Sequence, residues 1–177
     1  HVGRFFPEKN HTFLIEVFKE IHTKNSNSLL ILVGSGECGD DDPYVWSAKE
    51  KVHQENLENS VIFTGVRNDV PDLLQAMDTF VFPSKTEGFG IALIEAAGLR
   101  CFTSAHVVPK DVQVTDLLEF IDLEQPARIW AEIILQNDYD YKRDRYYKKI
   151  IEVGYDVSEC AKKMQKFYCS VLKETEG

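Results

Sequence analysis

The chain has 177 residues, of which 44% are hydrophobic and 28% are charged, as expected for a soluble globular protein with one core. Its formal net charge of −9 argues against nucleic acid as a partner, because no face dense in lysine and arginine is evident. No apolar run is long enough to span a membrane and no signal peptide is present, which points to the cytosol.

The cysteine spacing excludes the common metal and disulfide patterns. Cys38, Cys101, Cys160 and Cys169 form no Cys-x-x-Cys pair and have no histidine at ligand spacing. We therefore predict buried free thiols and no metal site.

The first segment, His1 to Gly3, has the composition of a strand end, and because the chain starts without methionine we expect a fragment of a longer protein. A loop follows, bracketed by Arg4 and Lys9, with Asn10 as candidate N-cap of a helix. The apolar residues of that helix recur at helical spacing: Phe13, Leu14, Val17, Phe18 and Ile21. The two cations are either ligands for a diphosphate or solvated loop charges, and on their own the second interpretation is favoured.

The run from Leu29 to Val33 is continuously apolar, which predicts a central parallel strand. Residues 34–39 after it formally match the Gly-x-Gly-x-x-Gly dinucleotide fingerprint. We interpret them as a structural turn, because residues 40–42 are three aspartates that would repel a pyrophosphate. Pro43 suits the first position of a helix, predicted from Tyr44 to Glu55.

A short strand is predicted from Val61 to Thr64, ending at Gly65. The loop beyond it contains Val66 and Arg67 and leads to a helix with Asp69 as expected N-cap. The inward residues of that helix are Val70, Leu73, Leu74 and Met77.

The most informative stretch runs from Phe82 to Gly98. It begins where the apolar strand Thr79 to Phe82 ends, passes through a loop containing Gly88 and Gly90, and enters a helix. The apolar residues of the helix are Ile91, Leu93, Ile94 and Ala97. Unpaired amides at a helix start, with glycines that permit close approach, predict a cradle for an anion.

Two carboxylates flank this cradle. Glu87 comes just before the helix and Glu95 lies inside it, about 10 Å further along the axis at a rise of about 1.5 Å per residue. A carboxylate beside an anion cradle would repel phosphate, so we expect each glutamate to accept hydrogen bonds from hydroxyl groups on either side of a diphosphate.

Glu87, seven residues and Glu95, preceded by Phe-Val-Phe-Pro-Ser, resemble the signature of glycosyltransferase family 4 in the donor-binding, C-terminal half of a GT-B enzyme. The resemblance implies that Glu87 contacts the transferred sugar and Glu95 the ribose of a nucleotide-sugar. The Val-Gly-Arg-Phe and Glu-Lys-Asn strings resemble the family motif in which Arg4 and Lys9 hold the diphosphate.

The resemblance also implies that the backbone of Val66 and Arg67 contacts the base, although an ordinary strand-to-helix connection explains that loop equally well. The chain departs from the family after Glu95. Members usually carry two more residues before the position of Gly98, and commonly proline where Arg100 stands. The shorter segment is expected to alter the last turn of the helix and the pose of Glu95.

The C-terminal third continues the alternation. Cys101 to Ser104 and Leu117 to Leu123 are predicted strands, and Pro126 to Gln136 and about Ser158 to Leu172 are predicted helices. Between the helices, Tyr139 to Tyr147 is dense in lysine, arginine and tyrosine. An anionic partner would explain that composition, but we interpret it as a solvated helix face with tyrosine stems packed beneath.

Strands and helices alternate at least five times, which predicts one α/β domain over residues 1–177 with a three-layer, Rossmann-like, doubly wound parallel sheet, one half of a GT-B enzyme. In the common strand order 3-2-1-4-5-6, the loops after the first and fourth strands face one crevice, where ligands bind. Arg4 and Lys9 belong to the first loop and Glu87 to Gly90 to the second.

The predicted activity is glycosyl transfer from a nucleotide-diphosphate sugar, with UDP as the expected nucleotide. Glu87, Arg4 and Lys9 are the candidate catalytic residues: the two cations and the amides of Gly88 to Ile91 would neutralise the leaving diphosphate, and Glu87 would orient the sugar. No metal and no cofactor other than this co-substrate is expected. The candidate donor-binding residues are Gly3, Arg4, Lys9, Val66, Arg67, Glu87, Gly88, Phe89, Gly90, Ile91 and Glu95.

The resemblance further implies retention of anomeric configuration and a capsular, exopolysaccharide or lipid-linked acceptor. That acceptor would be held by an N-terminal domain missing here, so we expect binding without efficient transfer by these 177 residues. The full-length enzyme is expected in the cytoplasm, with peripheral association at the inner face of the membrane left open.

Three alternatives remain. A glycosidase would need Glu87 and Glu95 about 5 to 9.5 Å apart across one bond, and Glu95 lies too far along the helix for that geometry. A sugar-nucleotide epimerase-like enzyme would need further acid and base groups in the crevice. A non-catalytic nucleotide-binding module would need neither.

Overall fold

The structure is a computed structural model that describes the backbone of residues 1–175 and the side chains of residues 1–172. The strands are β1 (Leu30–Val33), β2 (Val61–Gly65), β3 (Thr79–Phe82), β4 (Arg100–Ser104) and β5 (Leu118–Ile121). The α-helices are α1 (His11–Lys24), α2 (Pro43–Gln54), α3 (Val70–Ala76), α4 (Ile91–Glu95), α5 (Ala127–Gln136), α6 (Asp144–Val153) and α7 (Val157–Thr175). Two short 3-10 helices cover Pro7–Lys9 and Lys110–Val112.

All pairings between the strands are parallel, as predicted, and they form one sheet of two strands and one of three. β1 pairs with β2, and β4 lies between β3 and β5. Val2 forms a parallel bridge with Val33 on the free side of β1, so the segment around Val2 takes the place of the first strand. The predicted order 3-2-1 therefore corresponds to β2, β1 and the Val2 segment, and the predicted order 4-5-6 corresponds to β3, β4 and β5. His1 connects the two halves, because its ring Nδ1 lies 2.9 Å from the carbonyl oxygen of Val81.

The sheet separates two apolar cores, which confirms the three-layer architecture. In β3, Val81 packs in a core with α1, α2 and α5, whereas Phe80 and Phe82 face the opposite core with α3 and α4. The same alternation places Phe102 of β4 in the first core and Cys101 in the second. Successive side chains of a strand point to opposite faces, so each buried strand contributes to both layers.

The turn between β1 and α2 is structural, as predicted. Within residues 34–39, the glycine pair at positions 36 and 39 forms an antiparallel bridge, and no helix starts there. Asp42 is the N-cap of α2 and accepts a hydrogen bond from the backbone N–H of Tyr44 at 2.9 Å, with Pro43 in the first turn. A buried aspartate and a proline thus set the start of α2.

Two predicted N-caps occupy the right position without capping through their side chains. Asn10 precedes α1 in the left-handed conformation, with φ +56°, and its side chain makes no capping hydrogen bond. Asp69 precedes α3, but its carboxylate pairs with Arg67. Short polar side chains tolerate the left-handed region and compete for other local partners, which explains both cases.

Several other sequence expectations need correction. α4 has only five residues, so Ala97 belongs to the turn after it, and Ile91 is exposed rather than buried. All four cysteines are free, but Cys38 and Cys169 are exposed. Only Cys101 is fully buried, and this burial raises the pKa of its thiol.

α6 attaches to the body of the domain through Arg143, which precedes it. The guanidinium donates hydrogen bonds to the carbonyl oxygens of Gln75, at 2.8 Å, and Met77, at 2.5 Å, beside the end of α3. Tyr146 is the buried residue of α6. Among the described residues, no helix is both long and apolar enough to cross a bilayer.

Candidate active site

The loops after the first strand segment and after β3 meet, as the predicted strand order requires. The backbone N–H of Lys85 donates to the carbonyl oxygen of Glu8 at 2.7 Å. Beside this bond, the ammonium group of Lys9 forms an ion pair with the Glu87 carboxylate, 78 residues further along the chain. The side chains of Lys9 and Glu87 are 22% and 14% exposed, so the pair is shielded but open to a ligand.

Lys9 is held from one further side. Its Nζ lies 4.5 Å from the centre of the Phe82 ring, a cation–π contact. Gly3 lies beside the Lys9 stem, and a Cβ there would come closest to the His1 ring, 3.1 Å from its Nε2. The lysine is therefore positioned by an aromatic ring as well as by its carboxylate partner.

Gly34 fixes the loop that carries Arg4. It has φ +137°, and a Cβ there would lie 2.0 Å from the carbonyl oxygen of Gly3. The N–H of Gly3 in turn donates to Val33 at 2.9 Å. Only glycine allows β1 and the first strand segment to approach so closely at the edge where the site lies.

The ion pair opens into a cleft of about 280 Å³. Its lining residues are Lys9, Phe82, Glu87, Phe89, Gly90, Ile91 and Ala92. Gly90, with φ +84°, makes the turn into α4. α4 has only five residues, so the predicted anion cradle would depend on the amide groups of the loop more than on the dipole of the helix.

Arg4 does not join the ion pair. It is exposed, its guanidinium lies 5.6 Å from the centre of the Phe6 ring, and Phe6 lies 5.8 Å from the ring of Tyr44. Within the described part of the chain Arg4 has no acidic partner. Arg4 is also absent from the residues that line the cleft, so the structure brings Lys9 and Glu87 together but leaves Arg4 outside, and its role stays a prediction.

Glu95 and Glu87 line two different cavities. The cavity of Glu95 measures about 1060 Å³ and lies among residues of α3, α4, α6 and the start of α7. Phe89 and Ile91 line both spaces, so the two cavities are neighbours. The motif therefore places its two glutamates in adjacent spaces, and a ligand that reaches both must extend past Phe89 and Ile91.

The loop expected to contact a base is exposed. Val66 projects to solvent, and Arg67 forms a two-pronged ion pair with Asp69, its Nε 2.8 Å from the carboxylate. This pairing raises the pKa of Arg67 and occupies its side chain. The role of the backbone of Val66 and Arg67 in contacting a base stays a prediction.

Sequence reasoning missed a buried histidine pair beside the site. The His11 ring stacks on Phe5 at 4.0 Å between ring centres and meets the His1 ring edge-on at 4.9 Å, while His1 stacks on Phe82 at 5.4 Å. Burial lowers the pKa of His11 to about 4, with the N-terminal amine and Lys9 adding to the effect. His11 is therefore neutral at pH 7. The one feature of the sequence that could have indicated His11 is its position directly after Asn10, at the start of α1.

Among residues 1–172, whose side chains the structure describes, no group of three or more histidine, cysteine, aspartate or glutamate side chains is arranged to hold a metal ion. The cation that lines the cleft is Lys9, and it is paired with Glu87. That catalysis needs no metal stays a prediction.

Residues 1–116 match the family model described as glycosyl transferases group 1. The chain belongs to this family. The match includes both loops of the site and the Glu87 to Glu95 motif, in agreement with the family resemblance of the sequence.

Individual glycosyl transferases extend the comparison. EpsF of Bacillus subtilis, provisionally named a glycosyltransferase, is 30% identical over 164 residues, which cover 90% of this chain and 41% of EpsF. The Escherichia coli UDP-Gal:alpha-D-GlcNAc-diphosphoundecaprenol alpha-1,3-galactosyltransferase is 37% identical over 107 residues, covering 58% of this chain and 26% of that enzyme. The chain spans less than half the length of these curated relatives.

The fold is shared with solved glycosyltransferase structures. The pneumococcal O-GlcNAc transferase GtfA, crystallised with UDP and GlcNAc, superposes with a TM-score of 0.77 at 21% sequence identity. The alignment covers 97% of this chain and 35% of GtfA. Its coverage confirms the Rossmann-like fold through the C-terminal helices, beyond the part matched by the family model.

Proposed function

We propose that this chain binds a nucleotide-diphosphate sugar, with UDP as the nucleotide, in the cleft beside Lys9 and Glu87. In the complete enzyme the glycosyl group passes to a saccharide or lipid-linked acceptor with retention of configuration. The observation that carries the proposal is the ion pair itself, because it joins the two loops that the family motif assigns to the diphosphate and to the sugar.

In the proposed mechanism, binding of the donor exchanges the partners of Lys9 and Glu87. Without donor, the ammonium group of Lys9 is neutralised by Glu87. A diphosphate entering the cleft offers a stronger anionic partner, and Arg4, an exposed residue of the same loop as Lys9, supplies a bidentate donor for it by a change of side-chain rotamer. Glu87 then turns from the lysine to the hydroxyl groups of the sugar, so that one ligand satisfies both former partners.

The same groups support departure of the nucleotide. As the glycosidic bond breaks, negative charge grows on the diphosphate oxygen, and Lys9, Arg4 and the amides of Gly88 to Ile91 are placed to stabilise it. Glu87 holds the sugar so that its reacting carbon faces the acceptor. Glu95 binds the ribose from the larger neighbouring cavity.

The choice of UDP and of a lipid-linked acceptor is supported by the relatives. The E. coli galactosyltransferase is named for a UDP-galactose donor and a diphosphoundecaprenol acceptor, and the pneumococcal transferase was crystallised with UDP. The acceptor site belongs to the part of the protein beyond this chain, which spans 41% of the length of EpsF.

Calorimetric titration of the chain with UDP, GDP and UDP-sugars tests donor binding. We expect UDP to bind, GDP to bind more weakly, and the variant Arg4→Ala/Lys9→Ala to lose roughly a hundredfold or more in affinity, because two charge-assisted contacts disappear. The control Lys19→Gln/Lys24→Gln removes two exposed charges from the C-terminal half of α1, which does not line the cleft, and should bind like the parent. Equal binding by the Arg4/Lys9 variant would refute the proposed donor site.

Transfer requires the longer enzyme. A full-length protein carrying Glu87→Gln should bind UDP but transfer sugar poorly, and proton NMR of the product linkage reports whether configuration is retained. Efficient transfer by the 177-residue chain alone would contradict the assignment of the acceptor site to the missing part.

A further inference from the structure

A buried histidine joins the two strands that lead into the loops of the site. The loops themselves meet through a backbone hydrogen bond and through the ion pair of Lys9 with Glu87. Deeper in the domain, the ring Nδ1 of His1 lies 2.9 Å from the carbonyl oxygen of Val81 in β3. His1 is only 4% exposed, so this contact between the first strand segment and β3 is shielded from water.

The ring of His1 is held by one nitrogen and left unpaired at the other. A carbonyl oxygen only accepts, so the hydrogen lies on Nδ1, which donates it to Val81. Among the described residues, the Nε2 of His1 has no hydrogen-bond partner, and neither has the Nε2 of His11, whose ring meets it edge-on. A buried nitrogen without a partner lowers stability. Packing alone would favour phenylalanine at position 1, and the feature that phenylalanine lacks is the N–H donated to β3.

The His1 ring also supports the ring on which Lys9 rests. It stacks on Phe82 with 5.4 Å between ring centres and an interplanar angle of 21°. The Lys9 Nζ in turn lies 4.5 Å from the centre of the Phe82 ring. Gly3 lies beside both side chains, since a Cβ there would be 3.1 Å from the His1 Nε2 and 3.6 Å from the Lys9 stem. His1 therefore contacts the immediate support of the ammonium group.

The run of rings continues from His1 to the other loop of the site. The His11 ring stacks on Phe5, which follows Arg4, and Phe5 stacks on Phe63 of β2 at 5.9 Å. The rings thus connect β2, the first loop, α1 and β3. The pKa of His11 is lowered by burial to about 4, so its ring brings no positive charge close to Lys9 at pH 7.

We propose that His1 is a positioning residue for Lys9 in donor binding. Its N–H holds the first strand segment against β3 and its ring fixes Phe82, so the ammonium group is placed for the diphosphate before the donor arrives. Fixing a flexible lysine in advance removes part of the entropy cost of binding. The inference rests on the proposed donor site, and it adds to that site a residue that does not line the cleft.

A double-mutant cycle tests whether His1 acts through Lys9. UDP is titrated calorimetrically into the parent chain, His1→Ala, Lys9→Ala and the double variant. We expect each single substitution to weaken UDP binding about tenfold, because the cation–π contact and its lysine are lost or displaced. The double variant should bind within about twofold of Lys9→Ala, since His1 has no lysine left to position. Losses that multiply would overturn the proposal.

His1→Phe separates the two contributions of the ring. It keeps an aromatic face against Phe82 and removes the N–H donated to Val81, so we expect UDP binding to weaken only about threefold. This variant also replaces His1→Ala in the cycle if the alanine variant does not fold. A loss as large as that of a folded His1→Ala would contradict the role of the stacked ring.

The matched control is Trp130→Phe in the core formed with α1, α2 and α5. It also keeps an aromatic ring and removes a buried N–H, which donates to the carbonyl oxygen of Asp122 at 3.1 Å. Trp130 lines no part of the cleft, so its variant should be less stable in urea but bind UDP like the parent. Equal weakening of UDP binding by Trp130→Phe and His1→Phe would show that loss of stability alone lowers the affinity.

Proton NMR without nucleotide observes the placement of Lys9 independently of donor binding. Methylene protons beside its ammonium group lie over the Phe82 ring and are shifted upfield, and Lys9→Ala identifies their signal by its loss. In His1→Ala this signal should move towards the position of exposed lysines, whereas in Trp130→Phe it should stay. A parent chain that binds no UDP refutes the proposed donor site. Unchanged UDP affinity and an unchanged Lys9 signal in folded His1→Ala refute the positioning role alone.

Discussion

Lys9 forms its ion pair with Glu87 across 78 residues of sequence, and it does so directly beneath a cleft lined by both side chains. The pair closes the gap between the first strand segment and β3, where the two halves of the sheet meet. In the proposed donor complex, the diphosphate and Glu87 both compete for Lys9, and Glu87 also contacts the sugar.

Substitution of Glu87 by glutamine tests this competition. Glu87→Gln keeps the shape of the side chain but removes its charge, so Lys9 is freed and repulsion of the diphosphate is relieved. We expect UDP to bind roughly two- to fivefold more tightly, since a partly exposed ion pair contributes up to about 1 kcal/mol. Calorimetry measures the change, with Glu8→Gln as a control on the same loop. Weaker UDP binding would show that Glu87 does not compete for Lys9.

Gly34 should be the glycine least tolerant of substitution near the site. Gly34→Ala places a Cβ 2.0 Å from the carbonyl oxygen of Gly3, so we expect a loss of about 2–4 kcal/mol of unfolding free energy. Gly39→Ala is the control, because Gly39 also has positive φ, +68°, but no atom lies within 4 Å of its Cβ position. Its cost should be about 1 kcal/mol. Urea unfolding compares them, and equal costs would contradict the close approach.

Stability should fall in mild acid because of His11. Its pKa is about 4 in the fold and 6.5 in its ordinary state, so between these values the unfolded chain binds the proton more readily. The contribution is complete above about pH 6.5 and is lost as pH falls towards about 4, a change of about 3 kcal/mol. Urea unfolding across this range measures the slope.

His11→Phe preserves the stack with Phe5 and removes the titrating group, so its stability should vary less with pH. The control His53→Gln changes an exposed histidine of α2, whose pKa is raised by Glu58 and whose effect has the opposite sign. It should leave the acid loss in place. An unchanged slope in His11→Phe would assign the acid sensitivity to other groups.

Arg143 should decide how firmly α6 is attached. Arg143→Ala removes two hydrogen bonds from a charged donor to the carbonyl oxygens of Gln75 and Met77, each worth about 1.5–3 kcal/mol. We expect faster amide hydrogen exchange in α6 and unchanged exchange in β3 and β4. Arg128→Ala, on the exposed side of α5, is the matched control. Uniform loss of protection throughout the domain would show that Arg143 supports the whole fold.

Much of the fold followed from local sequence patterns. Apolar runs such as Leu29 to Val33 predicted the buried strands, and apolar residues repeating every 3.6 positions predicted α1 and α5. These predictions succeed because the geometry of a helix or strand fixes which residues share a face. The Glu87 to Glu95 motif and the strings around Arg4 and Lys9 were sufficient to indicate the family. The convergence of the two loops followed from strand order, which is a property of parallel sheets in general.

The sequence by itself determined the α/β alternation, the family and the residues that belong to the two loops. Only the tertiary structure decided that Lys9, and not Arg4, pairs with Glu87, and that Glu95 lines a separate cavity. The physical reason is that these relationships depend on side-chain directions and on segments far apart in sequence. Periodicity reports which side of a helix is apolar, but only packing determines what, if anything, covers it.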